Sequence, residues 1–274
     1  MQKYTPEEKA LKERTCNNSN NKLYFSPNSE IVSTPTEKDK NNFIPLIFSK
    51  KNFLDSLPYQ PKMIYLQNEL RKANNDTIVF IINELNGTYR EIIKDKNGNY
   101  FISDLIKACE QKHRIKILEE LSPTLSEDCL NCFATHPIQT LIDRSSSEIE
   151  YQYILISFND YNKFLTASLD PNGAYTIKKI IERIPNRFRS EFNYIFCSFI
   201  GFTSKTKFGI ITVKKFIACS QRDAINSQVM NFVRNNFMDL AANQYANYLI
   251  QFLLETWKNT PEEQEIKEMI LKIS

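Results

Sequence analysis

The chain has 274 residues, 42% hydrophobic and 12% aromatic, with a net charge of +3, which suits one or two folded domains with ample core. Only 5 glycines and one tryptophan argue against glycine-rich phosphate loops and dinucleotide sites. The charged stretch Met1–Ala10 lacks the apolar core of a signal peptide, and no run reaches the roughly 18 apolar residues of a membrane span, so the expectation is a soluble intracellular protein.

Residues 1–40 read as a low-complexity tail, rich in Asn, Ser, Thr, Pro and charge and without periodicity. Thr5, Pro6 and Glu8 allow a short helix over Thr5–Arg14. Ser26-Pro27 and Thr34-Pro35 read as parts of a solvated leader, with phosphorylation as the alternative. A helical domain follows over 41–274. Phe43–Leu57 is helical in character, and Pro58 and Pro61 break it. Met63–Lys72 is then the first second-helix, and Asn74–Asp76 ends that unit. Thr77–Leu85 is the next first-helix, stopped by Asn86-Gly87. Asn97-Gly98, Asn172-Gly173 and Phe208-Gly209 mark similar turns before second helices at Asn99, Ala174 and Ile210. Thr260, Pro261 and Glu263 open one last amphipathic helix, expected to cover the end of the array.

One plan recurs. Ile250, Leu253, Leu254 and Trp257 fall at i, i+3, i+4 and i+7, a buried helical face. Ile102 has Leu105, Ile106 and Cys109; Ile138 has Leu141 and Ile142; Ile177 has Ile180, Ile181 and Ile184; Val213 has Phe216 and Ile217. From Ile102 to Ile250 the anchors step by 36, 39, 36 and 37 residues, and a fainter copy at Leu66 lies 36 residues earlier. A fixed period in this range means stacked supersecondary units. Six units and a closing half unit are expected.

Cys129-Leu-Asn-Cys132 is a CxxC pair. Zinc needs a second pair or histidines at ligand spacing, and the 2 histidines, His113 and His136, offer none. The six cysteines read as thiols in a reducing compartment. No phosphate loop, nucleophile–base pair or acid pair at motif spacing points to an enzyme. No cofactor or metal is expected.

The pieces KDKNGNYFISDLIK, DPNGAYTIKKIIE, TKFGIITVKKFIA and NQYANYLIQFLLE resemble Pumilio-type (PUF) RNA-binding repeats, as does NELNGTYREIIKDKNGNY. The resemblance implies a curved right-handed all-α solenoid. It also implies single-stranded RNA as the partner, with two or three side chains per unit meeting one base. Six pentads then carry the recognition, named by first, second and fifth residue: Met63/Ile64/Gln67, Asn99/Tyr100/Ser103, Thr135/His136/Gln139, Ala174/Tyr175/Lys178, Ile210/Ile211/Lys214 and Asn247/Tyr248/Gln251. First and fifth residues lie one turn apart and reach a base edge, while the second stacks between bases. By the family's pattern Asn247, Tyr248 and Gln251 read uracil. Thr135 and Gln139 resemble an adenine pattern, with His136 as stacker. Asn99 and Tyr100 begin as a uracil reader, but Ser103 replaces glutamine. The Met63, Ala174 and Ile210 pentads match no code, and no fifth residue is the glutamate that the family uses for guanine.

From Lys163 to Arg222 there are 11 Lys and Arg and only three acids, a net +8 that leaves −5 for the rest of the chain. Lys178 and Lys214 put phosphate-seeking charge where base readers belong, which trades specificity for general affinity. The resemblance implies post-transcriptional control of messenger RNA by a cytoplasmic monomer, with the convex face open to regulatory proteins. Two alternatives stay open: a nucleolar relative binding pre-ribosomal RNA, and a protein-binding helical scaffold that has lost RNA.

Overall fold

The computed structural model describes residues 46–272. The expected tail, its helix over Thr5–Arg14 and its Ser-Pro and Thr-Pro pairs lie outside them. The described residues form helices and no strand. Unit one holds α1 (Lys50–Leu54), α2 (Gln60–Lys72) and α3 (Asn75–Leu85). Unit two holds α4 (Tyr89–Lys94), α5 (Gly98–Ala108) and α6 (Gln111–Leu121). Unit three holds α7 (Leu125–Asp128), α8 (Thr135–Arg144) and α9 (Glu148–Ile156). Unit four begins with α10 (Tyr161–Leu169) and α11 (Gly173–Arg183). Its outer helix α12 (Asn186–Thr203) runs on to lead into unit five, α13 (Gly209–Cys219). The next helix, α14 (Arg222–Ala242), bends at Asn236 (φ −129°, ψ 15°) and so joins the outer helix of unit five to unit six. Unit six closes with α15 (Asn247–Thr256) and α16 (Pro261–Leu271).

The unit therefore has three helices, one more than the two expected. Thr77–Leu85 is not a first helix: α3 is the outer helix of unit one. Asn74 opens it instead of ending the unit before, since its side chain accepts a hydrogen bond from the Thr77 N–H. The final helix likewise is no half unit but the outer helix of unit six, capped by Thr260 as expected.

The second helices α2, α5, α8, α11, α13 and α15 pack side by side in that order. Between this row and the outer helices runs one continuous core. The anchors Ile102, Ile138, Ile177, Val213 and Ile250 are all buried, with their i+3 partners Leu105, Leu141, Ile180, Phe216 and Leu253. Each such side chain contributes about 1.5–3 kcal/mol by leaving water. Leu254 of the expected stripe is only partly buried. Aromatic contacts gather in units four and five, where Phe196 stacks on Phe216 at 4.1 Å between ring centroids and 15° between planes.

Polar ties join units across the period. Glu120 accepts from the Gly87 and Tyr89 N–H groups at 2.6 and 2.7 Å. Arg114 Nε meets Glu150 Oε1 at 2.9 Å, and Glu150 is fully buried. Burial pushes the Glu150 carboxyl up. Hydrogen bonds from the Ser146 and Ser147 N–H groups, the Ser147 hydroxyl and Arg114 outweigh it, and its pKa lies below the ordinary 4.5.

Replacing Glu150 by Ala strands the Arg114 charge in the interior. Urea unfolding should show a loss of about 3–5 kcal/mol with an unchanged slope. Because the folded pKa of Glu150 is depressed, its contribution is present above about pH 4.5 and is lost as pH falls through the folded value. A Glu150→Gln chain should lack that part of the acid dependence of stability; equal acid slopes in the two proteins would contradict the assignment.

Candidate nucleic-acid interface

Four of the six second helices start from a turn built by an Asp or Asn side chain. Asp95 Oδ1 accepts from the N–H groups of Asn97 and Gly98 at 2.8 and 2.7 Å. Asp170 repeats this with Asn172 and Gly173, Asn131 with Phe133 and Ala134, and Asn243 with Tyr245 and Ala246. These are the side chain-to-backbone bonds that make Asx turns. The residue closing the turn is small for a steric reason. A Cβ on Gly173 would lie 2.4 Å from the Ala167 carbonyl oxygen. Asn97 and Asn172 then reach back one unit, donating to the carbonyls of Leu57 and Leu130 at 2.7 and 2.9 Å. The turn thus fixes both where the helix begins and how it sits on its neighbour.

That register sorts the pentad positions. The first residues Met63, Asn99, Thr135, Ala174 and Ile210 are buried, and Asn247 is half-buried. Asn99, expected as a base-edge group, turns its amide to the Asp95 and Lys96 carbonyls at 2.9 and 2.8 Å. Ser103 is buried too and donates to the Asn99 carbonyl at 2.9 Å. The Thr135 hydroxyl lies 3.3 Å from both the Asn172 carbonyl and Thr176 Oγ1 of the next unit. It also accepts from Gln139 Nε2 at 3.0 Å.

The second residues form the solvent-facing row. Tyr100 is 58% exposed and Tyr248 50%; His136 and Tyr175 are half-buried. The Tyr100 and His136 rings lie 5.9 Å apart at 53°. Ile64 and Ile211 occupy the same row and are also exposed. Sequence reasoning placed them in pentads but not among the contact residues, although their position alone marks them. Of the fifth residues, Gln67, Gln139, Lys178 and Lys214 are half-buried and Gln251 is exposed. Lys214 Nζ sits 5.1 Å from the Phe252 ring centroid in the next unit, a cation–π contact that sequence reasoning missed. Asn247 Oδ1 is buried without a hydrogen-bond partner. The Asn247 pentad therefore keeps its ring and Gln251 at the face, whereas the Asn99 pentad keeps only its ring.

The basic segment is less positive than its composition. Lys179 and Arg183 pair with Asp143, Arg187 with Glu148, Lys205 with Asp239, Lys215 with Glu182, and Arg222 with Glu262. Four of these five acids lie outside the segment, so neighbouring helices neutralise charge that the sequence count left standing. Lys214, over its ring, remains beside the row.

Among the described residues no group of three or more His, Cys, Asp or Glu is placed to hold a metal ion. Cys129 is buried and donates to the Ser126 carbonyl. Burial pushes the thiols of Cys109 and Cys197 up to about 11, so they resist forming the reactive thiolate. No helix among the described residues is long and apolar enough to cross a membrane.

A sequence model of the Pumilio-family RNA binding repeat matches residues 89–122 and 236–271, which are units two and six. The second match begins at the Asn236 bend. The chain is 24% identical over 197 residues to putative pumilio homolog 7 of Arabidopsis thaliana, covering 70% of this chain and 29% of that protein. It is 26% identical over 196 residues to pumilio homolog 11 of the same plant, covering 69% and 34%. The chain thus spans about a third of the length of these curated relatives. In fold it is similar to the RNA-binding domain of yeast Puf5p bound to AAT2 RNA. The TM-score is 0.68 at 20% identity, over 74% of this chain and 58% of that one. Period, three-helix units, pentad register and these matches agree: the chain carries two Pumilio-family RNA binding repeats, in units two and six, within an array similar in fold to Pumilio-type domains.

Proposed function

We propose that this protein binds single-stranded RNA along the row of second helices and acts in the cytoplasm in post-transcriptional control of messenger RNA, by binding and not by catalysis. The observation that carries the reading is the row itself: Tyr100, His136 and Tyr175 stand at one-unit spacing on three consecutive packed second helices, and Tyr248 stands two units further on, past Ile211. Rings so spaced offer stacking platforms for successive bases, each worth about 1–3 kcal/mol. The yeast domain of similar fold, described as bound to RNA, supports the same partner class.

Edge reading is concentrated in unit six, where Gln251 is exposed beside the half-buried Asn247, and in unit three through Gln139. Units one, four and five present Met63, Ala174 and Ile210 inward and supply Gln67, Lys178 and Lys214 instead. A second reading, pre-ribosomal RNA as the target, draws on those three apolar first residues, since a loosely specific face suits a target recognised mainly by backbone and stacking.

Two measurements test the proposal. Changing Lys178 and Lys214 to Ala should weaken binding across unrelated single-stranded sequences and lower the salt slope by about 0.7 for each phosphate no longer neutralised. An unchanged slope in a titration of labelled RNA would remove both lysines from the interface. Selection from a random RNA pool should return uracil at the position facing unit six and no required guanine beside it. Gln251→Glu with Asn247→Ser should move that position toward guanine, whose N1–H and N2–H groups a carboxylate accepts, by about 1–3 kcal/mol of discrimination. A strict UGU core, or a pool with no uracil preference, would each defeat this assignment.

A further inference from the structure

The outer layer carries a hollow that RNA binding leaves unused. α9 reads EIEYQYILI and is apolar on two sides. Tyr151 and Ile154 are buried, while Ile149 and Ile156 stand 50% and 66% exposed. A helix on the outside of a domain ordinarily turns a polar side to water, and one that is apolar all round is ordinarily covered. Ile156 is the ridge between two depressions. One, of about 390 Å³, is walled by Leu155, Phe158, Phe164, Phe188 and Phe192. The other, of about 460 Å³, runs from Ile149 and Tyr153 to Lys163. Both volumes lie in the range of pockets that hold ligands. Each depression has a single charged lining residue, Glu191 in the first and Lys163 in the second. Neither has an ion-pair partner among the described residues.

We propose that a segment of this same chain, residues 22–32, covers the hollow, with Tyr24 and Phe25 entering the phenylalanine-walled depression. Residues 1–45 precede the described part and join it at Leu46. Leu23-Tyr24-Phe25 is the longest run of large apolar residues in them. Lys22 precedes that run, and Glu30 follows it just before Ile31 and Val32. The two charges complement the hollow in order: Lys22 meets Glu191 beside the first depression, and Glu30 meets Lys163 beside the second, with the apolar residues between them. Reach is ample. Phe25 lies 21 residues before Leu46, which span at most about 70 Å when extended. α9 and α12 lie two to three units along the stack, at about 10 Å per packed helix. The occupied hollow would hide the exposed apolar side of α9 without touching the row of rings.

The test uses the whole chain without RNA, so it stands or falls separately from the RNA reading. Ile156, which is exposed, is replaced by the photo-cross-linking residue p-benzoylphenylalanine, and the adducts are mapped by mass spectrometry. Cross-links should concentrate in residues 22–32 with a yield independent of protein concentration. Tyr24→Ala with Phe25→Ala should lower that yield about tenfold, as loss of aromatic anchors does. Lys163→Glu should lower it too, and adding Glu30→Lys should restore it. Adducts between two copies, with a yield that rises with concentration, would assign the hollow to a second copy and overturn the proposal. Adducts spread evenly along the first 45 residues, or none, would overturn it as well.

Discussion

Everything in this fold depends on covering a second helix from three sides at once. Its inner stripe, such as Ile102, Leu105 and Ile106, is buried in the core beneath it. Its two flanks are buried by the preceding and following second helices. An α-helix has 3.6 residues per turn, so only a narrow strip is left for solvent. In these units that strip holds the second residue of each pentad, exposed or half-buried, and, Ser103 apart, at least part of the fifth. The first residue sits at the seam with the next unit. Thr135 shows how the seam closes, with its hydroxyl against Asn172 and Thr176 of unit four. Asn247 shows the exception. Among the described residues no second helix follows α15, and Asn247 is the one first residue that stays half-exposed.

The same geometry governs charge. The strip is flanked by positions where neighbouring helices bring acids and bases together, and the ladder Asp143, Lys179, Glu182, Lys215 crosses units three, four and five. Partly exposed pairs of this kind contribute little to stability, about 0–1 kcal/mol each. Their larger effect is on the field presented to a polyanion, since each paired lysine offers less attraction to phosphate than an unpaired one. Lys214 stands one position before the ladder residue Lys215 and has no acid partner among the described residues. It rests on the Phe252 ring, which leaves its ammonium close to the strip.

This explains what the sequence made legible. The buried anchors are apolar residues at helical spacing repeated at a constant period, and the structure buries them where that pattern puts them. Turn positions were legible because Asn-Gly pairs carry a backbone requirement that survives translation into structure, as at Gly173. The short first helices were not, because α4 and α7 are too brief to show periodicity, and α12 and α14 fuse two elements into one. Asn99 and Ser103 were misplaced for another reason. A polar residue in a pattern looks like a surface residue, yet both find partners in the backbone of their own helix and turn. Spacing along one chain does not reveal which polar groups are already satisfied. The ion pairs of the basic segment were hidden for the same cause, since their acids lie roughly one unit away.

Packing and recognition draw on the same positions, and the units divide between them. Units four and five contain the stacked rings of Phe164, Phe196, Phe199 and Phe216, and there the first pentad residues are Ala174 and Ile210, buried and apolar. An apolar side chain at the seam adds buried area and needs no hydrogen-bond partner, whereas a polar one must be satisfied or costs about 1–3 kcal/mol. Thr135 meets that demand by bonding the next unit, and Asn99 by bonding its own turn. Asn247 does not, and its Oδ1 remains without a partner. The exposed edge group of unit six is Gln251, one turn further along the same helix. The array thus keeps polar edge groups at Gln139 and Gln251, and elsewhere it gives the seam to packing and the strip to rings and lysines.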